Sequence, residues 1–67
     1  MYVKIRTVGG DEVYVNGDRV SHIEANWDST EAEPRTLVSM TGMSEDFIVP
    51  LPVGKVVRMF NDGISAD

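Results

Sequence analysis

Apolar and polar side chains alternate through the first third of the chain. In "YVKIRTV", Val3, Ile5 and Thr7 fall on one side, with Tyr2, Lys4, Arg6 and Val8 on the other. β-Branched residues recurring at a period of two mark a half-buried strand. Gly9-Gly10-Asp11 follows, residues that tolerate the positive φ of hairpin turns. "EVYV" resumes the alternation, with Val13 and Val15 inward and Glu12 and Tyr14 outward. Asn16-Gly17-Asp18 reads as a second turn and "RVSHIEANW" as a third extended stretch.

The pattern then lapses. "DSTEAEP", Asp28 to Pro34, holds three acids, one proline and no large apolar group. It has nothing to bury and is expected as a mobile surface loop. "RTLVSM" predicts a further strand, Thr41-Gly42 a turn, and "DFIVP" a last strand ended by Pro50, which has no N–H for a ladder. In "LPVGKVVRMFNDG" the period changes: Val53, Val56, Val57 and Phe60 are spaced as one face of a helix. Pro52 suits the first turn, Gly54 weakens the interior, and Gly63 is placed to end the helix in a left-handed conformation. Residues 64–67 are expected as a frayed tail behind a single domain over 1–63.

These elements predict a mainly β, β-rich α+β fold: a small antiparallel meander of four to five strands with a short C-terminal helix docked on one face. Curling into an SH3-like or Sm-like barrel is the alternative closure. The two glycine turns also rule on one chemistry. A phosphate-cradling loop needs its glycines between a strand and a helix N-terminus. Here strand-like sequence follows both turns, and Asp11, Glu12 and Asp18 would repel phosphate, so both are read as hairpin turns.

Composition narrows the picture further. At 67 residues with 42% hydrophobic side chains, the core is real but thin. There is no cysteine and one histidine, which leaves no disulfide, no thiolate metal ligand and no histidine cluster. No cofactor or metal is expected. A chain this small without staples usually gains stability by association, so a homodimer or small ring is expected. The first strand, guarded only by Lys4 and Arg6, and the Val53–Phe60 helix face are the surfaces to form it. The net charge of -5 has the wrong sign for nucleic acid and suits a protein partner with a basic surface. No apolar run approaches a membrane span, and "MYVKIRTV" lacks the features of a signal peptide, so a soluble cytoplasmic protein is expected.

The order of features resembles the FlbD-like family, short proteins of flagellar operons and related bacterial and phage reading frames. The residues that carry the resemblance are "VGGDEVYVNGDRVSHIEA", then "TLVSMTG", "FIV" and "VVRMF". Asp28 to Pro34 stands as an insertion, and "PLPVG" replaces an acidic, helix-favouring run. The resemblance implies a role in regulation or assembly with no enzymatic activity attached.

Candidate chemistry is sparse. His22 and Glu24 stand two apart in a strand and share a face, half of a general-base arrangement. No nucleophile sits at a matching spacing, so no catalytic residue is assigned and a solvent-facing pair is expected. Asp28, Glu31 and Glu33 lack the glycine and closing Glu of a calcium loop. Trp27, the single tryptophan, has two competing roles. It either lids the thin core, the first expectation in so short a chain, or anchors a partner within the acidic rim of Asp28, Glu31 and Glu33. Tyr14, with Tyr2 on the neighbouring strand, extends an aromatic patch or forms one cross-strand pair. Met40, Met43 and Met59 are expected to fill core gaps.

Two functions follow. The first is a non-enzymatic small acidic protein-interaction module, an adaptor, regulator or inhibitor of the kind phages direct at host proteins. The alternative is an oligomer that binds a small ligand or nucleotide in clefts between subunits, with Lys4, Arg6, Lys55 and Arg58 as anion contacts.

Overall fold

The computed structural model describes residues 1–62; the Gly63 cap and the tail expected at 64–67 lie outside them. The chain forms five strands and one helix: β1 (Tyr2–Arg6), β2 (Glu12–Asn16), β3 (Val20–Ala25), β4 (Thr36–Met40), β5 (Phe47–Val49) and α1 (Val53–Asp62). The fold is mainly β with a C-terminal helix, as the alternation predicts. The strands divide into two antiparallel sheets, β1-β2 and β3-β4-β5, and they do not close into a barrel.

The break falls where a simple turn was expected. Gly17–Arg19 form one turn of 3-10 helix, capped by Asn16, whose side chain accepts from the Asp18 N–H. That turn interrupts pairing between β2 and β3. The sheets meet instead at the other side, where Val8 N–H donates to the Ile48 carbonyl at 2.9 Å and joins the end of β1 to β5.

The register shows why period two was legible in β1 and β2. Val3 lies opposite Val15 and Ile5 opposite Val13, so their β-branched side chains share the core face. Gly10 takes a φ of 91° in the connecting turn, a conformation that L side chains rarely adopt. In β3 strict alternation fails. Val20 and Ile23 are three apart, yet both pack on the core, opposite Met40 and Val38. A bulge between Val20 and His22 supplies the extra residue.

Both sheets and the helix share one core of Val3, Ile5, Val15, Val38, Met40, Val49, Val56 and Met59. Thr36 is also fully buried, and its hydroxyl donates to the Leu51 carbonyl at 2.6 Å. The helix docks slightly rotated from the expected face. Val56 and Met59 are buried, Val53 and Phe60 half-buried, and Val57 is 37% exposed. Val57 stands about 100° around the axis from Val56, outside a stripe narrowed by the small sheet surface. Met40 and Met59 fill the core as expected, whereas Met43 is exposed in the turn after β4. Docking also uses the helix face that was expected to serve association. No helix among the described residues is long and apolar enough to cross a membrane.

Candidate functional site

The β3-β4 hairpin carries the acidic segment. Its ladder continues one step past the strands, with Asn26 N–H donating to the Arg35 carbonyl at 2.9 Å. The loop beyond is exposed, as its composition requires, but it is knit together by its own short polar side chains. Ser29 N–H donates to the Asn26 carbonyl, and Arg35 N–H donates to Ser29 Oγ at 2.9 Å. Thr30 and Glu33 close a second small ring: Thr30 N–H donates to the Glu33 carbonyl and Glu33 N–H to Thr30 Oγ1. Ser, Thr and Asn side chains satisfying nearby backbone groups is the chemistry of ordered turns.

On this frame Trp27 is 90% exposed. The expectation that it lids the core is overturned, because it stands two residues past the end of β3, beyond the paired ladder. Asp28, Glu31 and Glu33 are exposed beside it in sequence. Asp28 accepts from the Asn26 side-chain amide at 2.7 Å, and Glu33 lies 3.7 Å from the Arg35 guanidinium. The loop thus offers an exposed indole together with three exposed carboxylates.

Tyr14 belongs to a different surface. It stands on the outer face of the β1-β2 sheet, directly opposite Lys4 and diagonal to Tyr2, with both tyrosines 69% exposed. They form one diagonal aromatic set and do not join the Trp27 loop. On the same face Glu12 bonds Lys4 at 3.0 Å and Arg6 at 3.3 Å. Hydrogen bonds from Lys4 and then Arg6, reinforced by their charges, hold the Glu12 carboxyl below its ordinary range. One carboxylate thus serves both Lys4 and Arg6 and offsets one of their two charges, while Lys55 and Arg58 are exposed on α1.

His22 Nε2 lies 3.3 Å from Glu24 Oε1, with both side chains more than half exposed. The register adds what chain spacing hid, since Ser39 stands directly opposite His22. Its hydroxyl, however, donates to Asp46 Oδ1 at 2.9 Å. The His22 nitrogen faces a carboxylate and the serine proton is directed elsewhere, so this geometry does not activate a nucleophile. Among the described residues no three metal-ligating side chains converge. Compared with known proteins, the chain matches no protein-family model, no curated protein and no solved structure.

Proposed function

We propose that the protein is a non-enzymatic interaction module, an adaptor, regulator or inhibitor, that grips a basic protein partner with its β3-β4 loop. The observation that carries this reading is the solvent-exposed indole of Trp27 on a hydrogen-bonded acidic loop. Leaving a large aromatic side chain in water forgoes about 1.5–3 kcal/mol that burial would return. An interface recovers that energy, and a loop already ordered by its own bonds loses little entropy on docking. Asp28, Glu31 and Glu33 add electrostatic steering toward a cationic surface, which salt weakens. The resemblance to the FlbD-like family points the same way, to regulation or assembly. We further propose that it acts in the cytoplasm.

Affinity capture from lysate with wild type and with a Trp27→Ala/Glu31→Lys/Glu33→Lys variant tests the reading. All three positions are exposed, so the variant should keep the wild-type circular dichroism. Truncating a hot-spot tryptophan costs at least about 2 kcal/mol of binding. The specific partner should therefore vanish from the variant and elute from wild type as salt rises. An identical set of captured proteins would eliminate the loop as the binding surface.

A further inference from the structure

We propose that β2 is a dimerisation edge, on which a second copy of the chain adds its own β2 antiparallel about a twofold axis at Tyr14. The hydrogen-bond phase of the first hairpin shows which backbone groups that edge presents. Thr7 N–H donates to the Asp11 carbonyl and Gly17 N–H to the Met1 carbonyl, and both pairs lie in register with the β1-β2 ladder. Bonded pairs recur every second residue in an antiparallel ladder, so Val13 and Val15 turn their amides toward β1. The amides of Glu12, Tyr14 and Asn16 consequently point away from it. Among the described residues no strand pairs with that side of β2.

The other edges are managed. β3, an outer strand of the three-stranded sheet, carries a bulge and has α1 packed against it. β1 carries Lys4, a charge of the kind that guards an edge, and just past its end Val8 N–H is taken by the Ile48 carbonyl of β5. β2 has no proline, lysine or bulge, the devices that usually keep an edge from pairing.

The occupant follows from self-complementarity. Only the register centred on Tyr14 pairs all five residues of β2 with their copies. It sets Glu12 across from the partner's Asn16, so like charges never face each other, and Tyr14 across from the partner's Tyr14. About six backbone hydrogen bonds form, two from the central Tyr14 pair and two from each of the two Glu12–Asn16 pairs. On the core face Val13, half-buried in one chain, meets the partner's Val15 and loses its remaining contact with water. A two-stranded sheet, marginal by itself, becomes four-stranded. This surface is separate from the Trp27 loop, so either proposal can fail alone.

The chain has no cysteine, which gives a clean background for cross-linking. In the proposed dimer the residue-14 Cα atoms lie about 5.5 Å apart, within disulfide range. Two residues away, the residue-12 positions are separated from each other by about 14 Å along the strands. Under glutathione disulfide, Tyr14→Cys should form a covalent dimer at least about tenfold faster than Glu12→Cys. Light scattering should give wild type twice the single-chain mass at micromolar concentration. Tyr14→Lys, a change at an exposed position that places like charges face to face, should raise the dissociation constant about tenfold. A single-chain mass throughout the micromolar range, equal cross-linking by the two cysteine variants, or no effect of Tyr14→Lys would each overturn the proposal.

Discussion

Thr36 shows how much one hydroxyl carries. It is fully buried at the start of β4, and its bond to the Leu51 carbonyl ties the central strand to the segment leading into α1. Thr36→Val keeps the shape and strands that carbonyl, so it should cost about 1–3 kcal/mol in urea unfolding. A midpoint equal to wild type would show that water replaces the hydroxyl. Glu12 makes a pH-dependent contribution instead. Its folded carboxyl titrates below the ordinary value of 4.5 because Lys4 and Arg6 bond the charged form. The stabilisation is complete above that value and disappears as pH falls through the lowered one. The melting-temperature advantage of wild type over Glu12→Gln should be constant near neutrality and shrink below about pH 4.5. Neither role was legible in the sequence: Thr36 reads there as one more β-branched strand residue, and Glu12 as an outward-facing charge. Trp27 misled for a related reason. Composition favours burying a lone tryptophan, but its place past the last paired residue is a matter of register.

Elements with an unbroken period were legible. Val3 and Ile5, and Val13 and Val15, announce β1 and β2 and the faces they bury. β3 was legible as a strand but not as a bulged one, because the odd spacing of Val20 and Ile23 acquires meaning only opposite Met40 and Val38. The helix was placed correctly, yet its buried stripe centres on Val56 and Met59, since sequence spacing does not reveal which part of an apolar arc the sheet covers. Glycines within these elements differ in what they do. A Cβ built on Gly54 in α1 meets no atom within 4 Å, and its φ is not positive. Gly54→Ala should therefore stabilise the protein by about 0.5–1 kcal/mol. Gly42, at a φ of 83° in the turn after β4, should respond in the opposite direction. Thermal melts of the two alanine variants check both signs, and a destabilised Gly54→Ala would mean that the helix start is constrained in another way.

At the scale of the molecule, the class was legible and the closure was not. Five short strands and a helix follow from local pattern. Whether they make one meander, a barrel or two sheets depends on contacts distant in sequence, such as Val8 with Ile48. The 3-10 turn at Gly17–Arg19 decides where the sheet divides, and a glycine-containing turn looks the same in the sequence either way. What results is a thin core lined by all three layers, with its single tryptophan left outside. That last feature has a spectroscopic consequence. The indole of Trp27 already sits in water when the chain is folded. Its emission maximum should therefore hold nearly still through urea unfolding while the far-ultraviolet circular dichroism collapses. A pronounced red shift on unfolding would mean that the ring is sheltered in solution. The same ring should shift to the blue when a partner covers it, so the chain carries a built-in fluorophore that is blind to its own folding and responsive to capture.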